Sequence, residues 1–179
     1  MDPQKKIPRN FSFEFFPPRN EDGRAKLHET VEQLAQLKPK FFSVTFGAGG
    51  STREGTYETV KNIQAMGQQA APHISCIGTT RADIRALLDS YRQLGIRHLV
   101  ALRGDLPKDA PQTGGDFHHA NELVSFIRTE TGDEFYLEVA AYPEFHPESP
   151  SPESDIRYFV NKVRAGANSA MTQYFFNID

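Results

Sequence analysis

The chain has 179 residues, a net charge of -3 at neutral pH and one cysteine, Cys76. This length allows one domain with a sizeable core, and the mild charge offers no basic surface for nucleic acid or an anionic membrane. A single cysteine excludes an internal disulfide, and no run of residues is apolar enough to cross a bilayer. We therefore expect a cytoplasmic globular protein in which residues 1–10 form a polar tail and not a secretory signal.

The first predicted strand covers residues 11–16, is rich in phenylalanine and contains one carboxylate, Glu14. Two prolines follow it and cannot continue the ladder of strand hydrogen bonds. Alternation places Glu14 on the face opposite to Phe13 and Phe15. Because so apolar a strand is typical of a sheet buried on both faces, we expect desolvation to raise the pKa of Glu14. Two interpretations stay open: a general acid, or a buried carboxylate that pairs with a lysine or arginine.

Strands and helices then alternate along the chain. Further strands are predicted over 41–46, 71–77, 98–102, 135–141 and 169–176. The five segments between them carry apolar residues at helical spacing, with cap residues such as Thr80 and Ser151 and terminal glycines such as Gly95. The predicted apolar face of the last helix consists of Ile156, Phe159, Val160 and Val163. The units repeat about every 30 residues, which predicts parallel strands with right-handed crossovers.

Two folds fit this alternation, an open doubly wound sheet and a (β/α)8 TIM barrel. Polar residues lie in or at the ends of successive strands: Glu14, Thr45, His73, Arg103, Asp105, Tyr142 and Gln173. They favour the barrel, because a barrel gathers its strand ends around one site. A whole barrel needs roughly 250 residues, so we expect residues 11–179 to form an incomplete one, with six strands, five helices and two open edges.

Three motifs have chemical interpretations. The glycine-rich loop 47–50 lacks the third glycine of a dinucleotide fingerprint, so we reject a Rossmann site and retain a tight turn whose N–H groups could face a ligand. His73 and Cys76 lack further residues at metal-ligand spacing, and no metal is expected. In Arg103-Gly104-Asp105, the arginine suits a phosphate, the glycine permits close approach and the aspartate suits a cation; the alternative is a simple Arg–Asp turn.

Six stretches carry a more specific signal: FSFEFFPPR (11–19), KPKFFSVTFGAGG (38–50), AAPHISCIGTT (70–80), GIRHLVALRGDLP (95–107), VAAYPEFHPE (139–148) and AGANSAMTQYFF (165–176). In content and order they resemble the methylenetetrahydrofolate reductase family, most closely its bacterial single-domain type. The resemblance implies a TIM barrel that binds FAD, oxidises NADH or NADPH, and reduces 5,10-methylenetetrahydrofolate to 5-methyltetrahydrofolate for methionine synthesis. The alternatives are an inactive flavin- or folate-binding fragment, or another FAD-dependent barrel such as a proline-dehydrogenase-like enzyme.

The resemblance also implies roles for individual residues. Glu14 matches the general acid that opens the five-membered ring of the folate, Asp105 the carboxylate that stabilises the resulting cation, and Gln173 a hydrogen-bond partner of the pterin. The matching FAD-binding positions are Thr45, His73, Arg103, Gly104, Asp105, His119, Ala120, Tyr142, His146, Asp155 and Lys162. Arg103 and Lys162 would meet the diphosphate. His119 departs from the bacterial pattern, which has tyrosine there.

Members of the family continue through two more strands and three helices, which contribute to the folate and nicotinamide sites. The resemblance therefore implies that this stretch of chain lacks full reductase activity by itself. We expect a folate derivative as the small-molecule partner and a homo-oligomer as the assembly. The sequence does not choose between NADH and NADPH.

Overall fold

A computed structural model describes residues 10–46, 53–104 and 115–177. Its elements are β1 (Phe13–Phe15), α1 (Glu21–Ala35), β2 (Phe42–Val44), α2 (Arg53–Ala65), β3 (Ala70–Ser75), α3 (Arg81–Gln93), β4 (His98–Leu102), α4 (Ala120–Thr131), β5 (Tyr136–Ala141), α5 (Pro152–Arg164) and β6 (Ser169–Thr172). Each strand pairs in parallel with the next one in the sequence. The predicted order of the elements is confirmed.

The strand order β1-β2-β3-β4-β5-β6 distinguishes the two candidate folds. A doubly wound sheet reverses its strand order at a switch point, whereas a barrel adds each strand beside the previous one. The structure shows no reversal, which confirms the predicted α/β fold as six strands and five helices of an incomplete barrel. The strands β1, β2 and β6 are shorter than predicted, with three, three and four residues.

The two faces of the sheet have different surroundings. Phe42, Ile74 and Leu99 are fully buried between the sheet and the helices, in the main hydrophobic core. On the inner face a smaller cluster joins Phe41 and Val100 with other apolar side chains. The inner face also carries the polar side chains of Glu14, Ser43 and His73. Within the described residues, no helix combines the length and the apolar character that crossing a membrane requires.

The prediction for α5 is wrong in part. Ile156 and Val163 are 63% and 48% exposed, whereas Phe159 and Val160 are half-buried. The helix contacts α4 on one side. Amphipathic spacing shows which side chains share a stripe, but the width of the stripe that becomes buried depends on the neighbouring elements.

The predicted cap of α3 is confirmed as a reciprocal pair of hydrogen bonds. The Asp83 backbone N–H donates to Thr80 Oγ1 (3.1 Å), and the Thr80 backbone N–H donates to Asp83 Oδ2 (2.9 Å). Such a capping box satisfies two N–H groups that would otherwise lack partners at a helix start. The Thr80 hydroxyl and the Thr80 backbone N–H both donate to Asp83 Oδ2, and these two bonds lower the pKa of Asp83.

We expect Thr80→Ala to lower the free energy of unfolding by about 1 kcal/mol, because alanine cannot accept the Asp83 N–H. Urea denaturation measures the change. Thr129→Ala, at an exposed position within α4, is the matched control and should be neutral or slightly stabilising, since alanine is the better helix former. Equal losses in both variants would contradict the prediction.

Candidate active site

Strand alternation aims Glu14 at the inner face of the sheet. The rings of Phe13 and Phe15 stack on Phe42 on the opposite face, with centroid distances of 5.9 Å and 5.7 Å. Glu14 lies beside Ser43 in the register of β1 and β2. The predicted division of the opening strand into a phenylalanine face and a carboxylate face is confirmed.

The surroundings of Glu14 differ from the prediction. Its Oε2 lies 3.3 Å from His73 Nε2 and accepts a hydrogen bond from Ser43 Oγ at 3.5 Å. The Glu14 side chain is 49% exposed. The close contact with His73 lowers the pKa of Glu14, and this effect exceeds the opposing effect of desolvation. The predicted buried carboxyl with a raised pKa is therefore wrong for this structure, and the side chain beside the carboxylate is a histidine, not a lysine or arginine.

Gly104 packs its backbone against the end of β3. Its φ of +85° lies in the left-handed region, and an ideal Cβ at this position would be 1.9 Å from Ser75 Oγ. Ser75 Oγ donates a hydrogen bond to the Arg103 carbonyl oxygen at 2.9 Å. Because glycine has no side chain, the carboxyl ends of β3 and β4 can come close together at Gly104.

Arg103 connects the end of β4 to the loop after β5. Its Nη2 lies 2.7 Å from Glu148 Oε2, and its Nε donates to the Gly104 carbonyl oxygen at 3.1 Å. The ion pair lowers the pKa of Glu148. Asp105, the predicted partner of the arginine and a predicted catalytic carboxylate, lies outside the described residues, as does the glycine-rich loop 47–50.

The loop after β5 holds two of the predicted cofactor residues in contact. The rings of Tyr142 and His146 meet edge to face, with a centroid distance of 4.6 Å. His146 Nδ1 accepts the backbone N–H of Glu148. Phe145, between them, has a φ of 67°, which a side chain other than glycine adopts at some cost in strain.

The remaining predicted residues lie on α4, α5 and the end of β6. His119 precedes Ala120, the first residue of α4, and its ring stacks on Tyr158 at a centroid distance of 6.3 Å. On α5, Lys162 Nζ donates to the Ala140 carbonyl oxygen; burial lowers the pKa of Lys162, and Asp155 opposes that shift. Gln173 is exposed and donates its backbone N–H to the carbonyl of Ala141.

The structure thus brings some predicted residues into direct contact and leaves others apart. Glu14 contacts His73, and Tyr142 contacts His146. Two contributors were missed, Ser43 and Glu148. Strand alternation alone could have identified Ser43, which shares a face with Thr45, whereas an ion pair between two loops leaves no periodic signal.

Thr45 has an unsatisfied hydroxyl at the end of β2. Its Oγ1 is buried and finds no hydrogen-bond partner within ranges 10–46, 53–104 and 115–177. Buried polar atoms usually have partners, so a ligand or water is the expected one. In those same ranges, no group of three or more His, Cys, Asp or Glu side chains could hold a metal ion. Cys76 is buried, and desolvation raises the pKa of its thiol to about 11.

Solved structures with a similar fold differ widely in sequence. A phosphonopyruvate hydrolase aligns with a TM-score of 0.65 and 11% identity, covering 92% of this chain and 58% of its own. A Clostridium thermocellum protein, described as binding two copies of 5-methyl-5,6,7,8-tetrahydrofolic acid, aligns with a TM-score of 0.57 and 13% identity, covering 94% of this chain and 55% of its own. Similarities at this level of identity support the barrel fold alone.

Sequence comparison is more specific. The 5,10-methylenetetrahydrofolate reductases of Pectobacterium carotovorum and Escherichia coli are 46% and 45% identical over 171 residues, which is 95% of this chain and 56% of each relative. Methylenetetrahydrofolate reductase (NADH) 1 of Arabidopsis thaliana is 38% identical, over 94% of this chain and 31% of its own. The chain therefore spans little more than half the length of the bacterial relatives. The family model for methylenetetrahydrofolate reductase matches residues 2–179, and the chain belongs to that family.

Proposed function

We propose that residues 11–179 are an FAD-binding barrel domain of a methylenetetrahydrofolate reductase, which uses NADH or NADPH to reduce 5,10-methylenetetrahydrofolate to 5-methyltetrahydrofolate. The observation that carries the proposal is the family match over residues 2–179. The position of Glu14 on the inner face, beside the ends of the neighbouring strands, agrees with it. Active sites of this fold lie at that end of the barrel.

The described residues fit a flavin dinucleotide in two respects. Thr45 Oγ1 is a buried hydroxyl in need of a partner. Arg103 and Lys162 are cations near the ends of β4 and β5, suited to a diphosphate. When bound, FAD supplies the hydride chemistry that side chains lack. Arg103 would then pair with the diphosphate, either in place of Glu148 or together with it.

Glu14 has the proposed task of moving a proton to the folate. Its carboxyl group favours the ionised form in this structure, because His73 and Ser43 stabilise the anion. An aromatic ring system bound over the half-exposed side chain would exclude water and raise the pKa of Glu14. That is the direction a general acid requires, so substrate binding itself would prepare the group for proton transfer.

The proposal is tested on the chain extended to the length of its bacterial relatives, by recording its flavin absorbance, its anaerobic bleaching by NADH or NADPH, and its reoxidation by methylenetetrahydrofolate. A protein that binds no added FAD would contradict the flavin assignment and favour a non-catalytic folate-binding role. Bleaching without folate-dependent reoxidation would favour a different FAD-dependent barrel enzyme.

Glu14→Gln separates the two half-reactions. We expect bleaching by NADH or NADPH to keep its rate, because no proton from Glu14 enters that step, and reoxidation by the folate to slow on the order of 100-fold. Glu29→Gln, on the exposed surface of α1, is the control and should match the wild type in both steps. Normal folate reoxidation in the Glu14 variant would overturn the assignment of the acid.

A further inference from the structure

His73 is a nearly buried histidine whose Nε2 faces a carboxylate. Its side chain is 9% exposed, and Nε2 lies 3.3 Å from Glu14 Oε2. Within the described part of the chain this buried nitrogen has no hydrogen-bond partner of good geometry, and the contact with Glu14 is a close approach and not a fully formed hydrogen bond. A buried polar nitrogen is costly without a polar partner, so its presence favours a position of the carboxylate close to it.

The contact is built by three neighbouring strands. Glu14 on β1 lies beside Ser43 on β2, and Ser43 lies beside Ala71 on β3, two residues before His73 on the same face. Ser43 Oγ and His73 Nε2 both approach Oε2 of Glu14. Two strands therefore hold one oxygen of the carboxylate, and Oε1 takes part in neither contact.

We propose that His73 is a positioning residue for Glu14, holding Oε2 so that the carboxyl group presents Oε1 to a substrate at the carboxyl ends of the strands. The role of this contact in proton transfer rests on the proposed function, whereas the contact itself does not. The resemblance places His73 among the FAD-binding residues. One N–H cannot serve Glu14 and a flavin at the same time, so only Nδ1 would remain for the cofactor.

The pairing has a measurable electrostatic consequence. Among the described residues, the groups that stabilise the Glu14 anion are His73 on β3 and Ser43 on β2, and His73 is the larger contributor. No other charged side chain is among the causes of the shift. Without His73, desolvation remains and favours the neutral acid. Removal of the imidazole should therefore move the titration of Glu14 to higher pH.

The test is a carboxyl ¹³C NMR titration of the 179-residue chain, with the Glu14 signal assigned by its loss in Glu14→Gln. We expect the titration midpoint of Glu14 to rise in His73→Leu, which removes the donor, and to return towards the wild-type value in His73→Gln, whose amide N–H can replace Nε2–H. His73→Asn is polar but too short to reach Glu14, so it should raise the titration midpoint of Glu14 as well. It replaces His73→Leu in the test if that variant does not fold.

His98→Leu is the matched control, because His98 is a second histidine of the inner face, 3.5 Å from a different carboxylate, Glu138. It should leave the midpoint of Glu14 unchanged. A Glu14 midpoint at or below the wild-type value in His73→Leu or His73→Asn overturns the proposal. The titration needs no flavin or folate. A shifted midpoint combined with normal folate turnover in Glu14→Gln would refute the proposed function and leave the pairing intact.

Discussion

Gly104→Ala is expected to lower the free energy of unfolding by roughly 2–5 kcal/mol, from two separate costs. The residue has a φ of +85°, and a left-handed conformation costs an L side chain about 1–2 kcal/mol. The added Cβ would lie 1.9 Å from Ser75 Oγ, and overpacking of this kind typically costs about 1–3 kcal/mol. Ser75 cannot simply rotate away without losing its hydrogen bond to the Arg103 carbonyl oxygen.

Gly67→Ala separates these two costs. Gly67 has a φ of 75°, and no atom lies within 4 Å of an ideal Cβ there. Its variant carries the backbone strain without the clash, so we expect a loss of about 1–2 kcal/mol. Chemical denaturation of both variants gives the difference, which is the cost of the clash. Equal losses would show that the contact with Ser75 relaxes freely, contrary to the prediction.

Local signals in the sequence predicted most of the fold. Gly67, Gly95 and Gly166 have φ values of 75°, 76° and 114°, as expected for glycines that end helices and lead into strands. Thr80 and Ser151 cap the helices predicted for them. These features depend on a few adjacent residues, so they can be recognised without knowledge of the tertiary structure.

Burial was predicted less well, because it depends on elements far apart in the chain. The face on which Glu14 lies follows from alternation, but its exposure of 49% follows from a sheet whose first and last strands are not paired with each other. Ile156 on α5 likewise has the spacing of a core residue and is 63% exposed. Amphipathic patterns give orientation, whereas solvent exposure depends on the neighbours.

The polar contacts of the site were the hardest to predict. His119 occupies the N-cap position of α4, where the backbone N–H groups of His118 and His119 donate to Glu122 Oε2, although histidine is not a preferred cap residue. Arg103 was expected to pair with Asp105 or a phosphate, and among the described residues it pairs with Glu148, from another loop. The pair of Arg103 and Glu148 joins residues that are far apart in the sequence, so its partners can be identified only once the loops have been placed.

The position of Glu14 ultimately depends on the aromatic contacts behind it. Phe42 is fully buried and stacks on Phe13 and Phe15, which flank Glu14 in β1. We expect Phe42→Ala to lower the free energy of unfolding by about 3–5 kcal/mol, because it leaves a cavity in the main core. Since β1 pairs with β2 alone, through a short ladder, the cavity should also loosen the strand that carries Glu14.

Thermal or chemical unfolding measures the global loss, and hydrogen exchange of the β1 amides measures the local one. Phe176→Ala is the matched control: the ring is 89% exposed, so its removal should change the stability by no more than about 0.5 kcal/mol. If Phe42→Ala loosens β1 as expected, the contact between Glu14 and His73 weakens too, and the titration of Glu14 moves to higher pH even though His73 is unchanged. A Phe42 variant that is no less stable than the Phe176 variant would contradict this account of how the phenylalanine face supports the carboxylate face.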